Sequence, residues 1–189
     1  MSNESQLEAL FEEVSQRWGK LDFLLHSIAF APKADLHGRV VDSSLEGFLQ
    51  AMDISCHSFI RMARLAEPLM KDGGSLMTMS YLGGQEVVPN YSIMGPVKAA
   101  LESTVRYLAY ELGEQGIRVN AISPGTIMTR AASGIASFDA LVEENAQRAP
   151  MGAVNIDDVG PLSVFLASDG ARAITGGKIY VDGGFNILN

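Results

Sequence analysis

"SLMTMSYLGGQEVVPNYSIMGPVKAALE", residues 75–102, changes its period halfway along. Its first six residues form a short apolar run of strand length, entered from the turn signal Asp72-Gly73-Gly74. From Gly95 onward Val97, Leu101, Val105, Leu108 and Leu112 recur at helical spacing until about Gln115, where Gly116 stops the helix. A buried strand feeding a helix through a glycine-containing loop is half of a parallel crossover unit. The rest of the chain repeats that alternation.

Upstream, residues 5–18 read as a helix, with Ser5-x-x-Glu8 at capping-box spacing and an apolar stripe of Leu7, Leu10, Phe11, Val14 and Trp18. LDFLLHSIAF (21–30) is a near-continuous apolar run that suits a strand buried on both faces. A polar loop reaches Ser43-Ser44, and a long helical region follows to about Lys71. Downstream come the strand IRVNAIS (117–123), closed by Pro124-Gly125, helices near 139–148 and 156–168, and the strand KIYVDGG (178–184). Asn155-x-x-Asp158 is a loose capping-box analogue for the second of those helices. Alternating strands and helices predict an α/β fold of right-handed crossovers on a parallel sheet with helices on both faces. With no repeat, linker or low-complexity segment, 1–189 reads as one domain.

Composition narrows the function classes. A formal net charge of -8 argues against general nucleic-acid binding, which needs clustered Lys and Arg. One cysteine, Cys56, excludes an internal disulfide and suits a reducing compartment. The N-terminus lacks the cationic start and apolar core of a signal peptide, and no apolar run approaches the roughly 20 residues that span a bilayer. A cytoplasmic protein without membrane partners is the reading.

Two tyrosines and a lysine carry the chemistry. Pro96 is tolerated only in a helix's first turn, so the helix begins near Gly95, Tyr91 stays in the approaching loop, and Lys98 lies in the opening turns. An ammonium there can hold sugar hydroxyls and lower the pKa of a neighbouring phenol, which then donates a proton or hydrogen bond to an oxygen gaining negative charge. The bland alternative is a packing tyrosine and a solvated lysine. His26, inside an apolar run, reads as a core histidine. Adjacent Cys56 and His57 diverge on a helix and give no metal spacing, so no metal site is expected. Met77, Met79 and Met94 read as core filler, and Asp182-Gly183-Gly184 as a turn.

The stretch resembles the short-chain dehydrogenase/reductase superfamily, in which a Tyr and a Lys follow a central strand ending in Ser, here Ser80. Where the common spacing is Tyr-x3-Lys, this chain has Tyr91-x6-Lys98 and a second tyrosine, Tyr81. That pattern is similar to the NADH-dependent enoyl-acyl carrier protein reductases of bacterial fatty-acid synthesis. HSIAFAP (26–32), SYLGG (80–84), VPNYSIMGPVKAALE (88–102), RVNAISPGTI (118–127), TRAASGI (129–135) and YVDGGF (180–185) follow in family order over nearly the whole chain.

The resemblance implies a Rossmann-like fold and hydride transfer from NADH to the β-carbon of a trans-2-enoyl thioester. It implies Tyr91 on the enolate oxygen, Lys98 on the nicotinamide ribose, and Tyr81 as an accessory. Ser27, Ile28, Ala29, Ser80, Ile127, Met128, Thr129, Arg130 and Ala131 would meet the cofactor, with Ala31 and Phe138 at the substrate. A substrate lid would cover about 126–150. Acyl carrier protein is the implied partner and a homotetramer the implied assembly.

The family's opening strand–glycine loop–helix has no counterpart before residue 21, and the helix 5–18 matches the one after the third strand. Two units are expected to be missing, on the order of 60–70 residues at ~30 or more per unit. They are expected to lie outside this sequence, to be supplied by association, or to be replaced by pairing with another copy. The residue that selects NADH over NADPH goes with them, which leaves NADPH open. The strand 21–30 would then be an edge with exposed apolar faces, and the chain alone would bind NADH weakly. Rival readings are a carbonyl or alcohol reductase using the same pair, and a non-catalytic scaffold retaining the fold.

Overall fold

The computed structural model describes residues 3–129 and 138–188. Four parallel strands, β1 (Phe23–His26), β2 (Gly74–Met79), β3 (Ile117–Pro124) and β4 (Lys178–Val181), lie in the order β1-β2-β3-β4. Leu24 pairs with Leu76, Met77 with Asn120, and Ile122 with Ile179, so each crossover returns one strand over. The connections carry helices α1 (Glu4–Trp18), α2 (Lys33–Leu36), α3 (Leu45–Met52), α4 (Ser58–Ala66), α5 (Met94–Leu112), α6 (Phe138–Arg148) and α7 (Ile156–Ala167). The α/β parallel arrangement expected from the alternating pattern is present.

Helices cover both faces of the central strands. On one face Leu7 and Phe11 of α1, Phe59 and Met62 of α4, and Val97, Leu101 and Val105 of α5 share a core with Leu76 and Val119. On the other, Leu166 of α7 packs with Met77 and Ile122. Each fully buried side chain of this size contributes about 1.5–3 kcal/mol, so β2 and β3 anchor the fold.

The run 21–30 differs from its expected two-sided burial. Only Phe23–His26 is strand; Leu24 and His26 are buried, while Phe23 is 52% and Leu25 40% exposed. The strand is the sheet edge, as the alternative expectation had it, and the second core centres on Met77 and Ile122, away from β1. Residues 27–32 leave the sheet and turn over its carboxyl end.

The α1 cap also differs. Asn3 Oδ1, not Ser5, accepts from the Gln6 amide at 3.1 Å, and the Ser5 hydroxyl donates to that same oxygen at 2.7 Å. Asparagine ranks with serine as a cap, so the earlier position wins. The Asn155–Asp158 capping box is present: Asn155 Oδ1 accepts from the Asp157 amide at 2.7 Å, and Asp158 accepts from the Asn155 amide at 2.8 Å. The long helical region before Lys71 is interrupted by a π-turn at Asp53–His57. This turn sets Ser58 Oγ 2.7 Å from His26 Nε2, and Thr78 Oγ1 lies 2.9 Å from Nδ1. His26 is a core histidine, and burial pushes its pKa down to about 4.

Candidate active site

Parallel strands present ligands at their carboxyl ends. Here a cleft of about 1030 Å³ opens beyond β1, β2 and β3. The segment after β1 contributes Ser27, Ile28, Ala29 and Ala31; that after β2, Ser80 and Tyr81; that after β3, Thr126, Ile127 and Thr129. Tyr91 and Lys98 close one wall and Phe138, the first residue of α6, another. Of the expected contacts, Met128 is 49% exposed and is not among the residues that line the cleft. Arg130 and Ala131, with the 130–137 portion of the expected lid, lie outside the described residues.

Helix α5 starts at Met94, with Pro96 in its first turn, as the missing N–H of proline requires. Lys98 therefore reaches back under β2. It is 4% exposed, and its Nζ donates to the Met79 carbonyl at 2.7 Å. Burial pushes its pKa down to about 8, with Glu102 opposing the shift. Among the described residues one of its three ammonium donors is used, which leaves the others to vicinal hydroxyls in the cleft. That donor set, at the ends of parallel strands, fits a nicotinamide ribose.

Tyr91 is fixed by its backbone and its ring. Its flanking residues Asn90 and Ser92 have φ of 64° and 47°, a left-handed geometry that non-glycine residues adopt at a cost of order 1–3 kcal/mol. The Tyr91 amide donates to the Val88 carbonyl at 3.2 Å, and Ser92 Oγ donates to the Asp35 carbonyl at 3.0 Å. A Cβ on Gly83 would fall 2.4 Å from Tyr91 Cδ1, so the ring lies directly on that glycine. Its other neighbour is the Tyr81 ring, tilted at 59° with centroids 4.9 Å apart.

The Tyr91 hydroxyl has no protein partner among the described residues. Its pKa differs from the sequence expectation: burial pushes it well above the usual tyrosine range, with Tyr81 and Glu102 adding to the rise. Lys98 is hydrogen-bonded to the Met79 carbonyl and is not among the groups that shift the phenol. Tyr91 is thus a protonated donor.

Several residues escaped the sequence reading. Glu102, one turn beyond Lys98, accepts from Ser80 Oγ at 2.5 Å, and Lys178 Nζ sits 2.9 Å from the same oxygen, off the line of a good hydrogen bond. Ser80 lines the cleft but its hydroxyl proton is committed to Glu102. Thr126 Oγ1 lies 2.9 Å from the Tyr81 hydroxyl and accepts from Asn145 Nδ2 of α6. Phe30, Leu36 and the α7 residues Ile156, Val159, Gly160 and Ser163 complete the walls.

Met79 and Met94, expected as filler, also line the cleft, whereas Met77 is core only. Asp182 caps its turn, accepting from Gly184 and Asn186 amides at 2.9 Å each. Among the described residues no three His, Cys, Asp or Glu side chains group as metal ligands, and no helix is long and apolar enough to cross a membrane.

The enoyl-(acyl carrier protein) reductase family model matches residues 1–186. The enoyl-[acyl-carrier-protein] reductase [NADH] FabI of Rickettsia felis is 47% identical over 189 residues, which are all of this chain and 73% of that protein. That of Synechocystis is 48% identical over the same span, again 73% of its length. Among solved structures, the Bacillus cereus enoyl-acyl carrier protein reductase with NADP+ and indole naphthyridinone superposes with a TM-score of 0.97 at 46% identity, covering all of this chain and 74% of that one. The Anaplasma phagocytophilum enzyme in complex with NAD gives 0.95 at 46% identity, covering this whole chain and 72% of its own. With the parallel sheet, the cleft and the Tyr91–Lys98 wall, these matches settle the kinship: the chain belongs to the enoyl-(acyl carrier protein) reductase family.

Proposed function

We propose that the chain carries the catalytic region for NADH-dependent reduction of the trans-2 double bond of enoyl-acyl carrier protein thioesters, a step of fatty-acid synthesis. The observation that carries this reading is one cleft wall where the buried Lys98 ammonium and the Tyr91 hydroxyl, without a protein partner among the described residues, face the same space. The reduced nicotinamide, when bound, supplies the hydride that reaches the substrate β-carbon. Lys98 holds the ribose hydroxyls with the donors that Met79 leaves unused. Tyr91 donates to the thioester oxygen as that oxygen becomes an enolate. A donor set in advance is worth about 3–4 kcal/mol in such a step.

A high phenol pKa suits this role, because the proton stays on Tyr91 until charge appears opposite it. Tyr81 packs its ring at a tilt against Tyr91 and assists at the same oxygen. Ser27, Ile28 and Ala29 bring backbone groups to the cofactor, and Ile127 and Thr129 meet it from the end of β3. Ala31 and Phe138 border the acyl chain, with the lid of about 126–150 closing over it. Acyl carrier protein delivers the substrate, and a cytoplasmic homotetramer is the assembly the family resemblance supports. The test is NADH oxidation with crotonyl thioesters beside simple ketones. Turnover of the thioester alone supports the reading; turnover of ketones alone makes the chain a carbonyl reductase.

A further inference from the structure

Tyr81 is the end of a buried hydrogen-bond chain that reaches a second cavity. Its hydroxyl lies 2.9 Å from Thr126 Oγ1, which in turn accepts from Asn145 Nδ2. Asn145 is 9% exposed, and its Oδ1 has no partner among the described residues. Asn145 also lines a separate cavity of about 300 Å³ between α6 and the 82–89 loop, whose wall Tyr81 shares. Tyr81 therefore stands between the two spaces, with Thr126 and Asn145 behind it.

The donor inventory fixes the direction of this chain. A threonine hydroxyl has one proton and two acceptor sites, while an asparagine Nδ2 only donates. Asn145 fills one acceptor site of Thr126. If Tyr81 filled the other, the Thr126 proton would be buried without an acceptor among the described residues, at a cost of about 1–3 kcal/mol. The satisfied arrangement has Thr126 donating to the Tyr81 oxygen. Tyr81's own proton is then left for the cleft.

We propose that Thr126 and Asn145 are positioning residues for the enoyl reduction, which point the Tyr81 hydroxyl proton into the cleft by occupying its oxygen from behind. The inference rests on the reading that Tyr81 assists at the thioester oxygen. An amide oxygen at 145 in place of the nitrogen would reverse the chain, turning Thr126 toward residue 145 and Tyr81's proton toward Thr126. The Tyr81 phenol is pushed up by burial and drawn back by its bond to Thr126, in keeping with a donor behind it.

The experiment has two arms on the same set of variants, Thr126→Val, Thr126→Ser, Asn145→Asp and Tyr81→Phe. In the first, 13Cζ-tyrosine NMR of the chain follows the Tyr81 resonance, assigned by its loss in Tyr81→Phe, through an alkaline titration. Thr126→Val and Asn145→Asp should move that titration to higher pH, and Thr126→Ser should restore it. An unmoved resonance in Thr126→Val overturns the proposal, whether or not the chain turns over substrate. In the second, Thr126→Val should lower kcat roughly five- to tenfold with KM unchanged, the size of one neutral hydrogen bond. Thr126→Ser should recover it, and Thr126→Val should cost nothing further in Tyr81→Phe. Full additivity of the two losses overturns the positioning role, whereas full activity of Tyr81→Phe removes Tyr81 from the reaction and leaves the NMR result standing.

Discussion

The two tyrosines of the cleft are ten residues apart, meet in a tilted ring contact with centroids 4.9 Å apart, and are both pushed up in pKa by burial, yet their hydroxyls are treated in opposite ways. Tyr81 leaves the end of β2 and is tethered from behind through Thr126 to α6. Tyr91 arrives through a strained loop, is pressed onto Gly83, and has its oxygen left to the cleft. The difference separates a group that is aimed from a group that is reserved. Backbone strain and a glycine floor hold Tyr91's ring without touching its hydroxyl, so its full hydrogen-bond capacity is kept for the substrate.

The largest expected effect breaks the reserved side. Tyr91→Phe keeps the ring, the Gly83 contact and the tilted contact with Tyr81 but removes a hydroxyl that has no protein partner among the described residues. Loss of a preset oxyanion donor costs about 10²–10³ in kcat. Steady-state kinetics with a crotonyl thioester should show that loss in kcat with little change in KM for NADH. A loss no greater than that of Tyr81→Phe would erase the distinction between the two.

Gly83→Ala comes next and attacks the same side indirectly. The added methyl carbon would sit 2.4 Å from Tyr91 Cδ1, so the ring must move. A displacement near 1 Å, imposed from outside the cleft, costs on the order of 100-fold in rate. The effect should vanish in a Tyr91→Phe background, where the hydroxyl to be misplaced is already gone. Equal losses in both backgrounds would mean that Gly83 acts on something other than Tyr91.

How much of this was readable from the chain depends on whether the signal was local. The strand–helix alternation, the start of α5 near Gly95 with Pro96 in its first turn, and the buried His26 follow from period and from single-residue chemistry, and all are present. The Tyr91–Lys98 wall was legible because both residues belong to one segment. Thr126 and Asn145 were not, since they meet Tyr81 from 45 residues away along the chain and from a helix whose sequence shows only ordinary amphipathic character. Glu102 was hidden for another reason: an acidic residue on a helix normally reads as solvated, and only Ser80 and Lys178 in space show otherwise. The capping shift from Ser5 to Asn3 is a competition between two good caps that the pattern alone does not rank. Lys98 does not lower the Tyr91 phenol, whose position is set first by burial and then by Tyr81 and Glu102.

The smallest effect distinguishes the sides by pH. Lys98 has its pKa pushed from 10.5 down to about 8 by burial, so the free protein loses the ammonium as pH rises through 8. If that charge serves the ribose and the Tyr91 side, kcat/KM, which reports the free enzyme, should fall about fivefold between pH 8 and 9 and about tenfold per pH unit beyond. Stability runs the other way. Between about 8 and 10.5 the unfolded chain binds the proton that the folded chain has released, so this residue makes the fold more stable as pH rises. A loss of rate with no loss of denaturation midpoint over that window therefore isolates Lys98 from alkaline unfolding. The limb should persist in Tyr81→Phe and flatten in Lys98→Arg, whose guanidinium stays charged, whatever rate that variant reaches. A limb that survives Lys98→Arg would assign the ionisation to another group and detach Lys98 from the reserved hydroxyl.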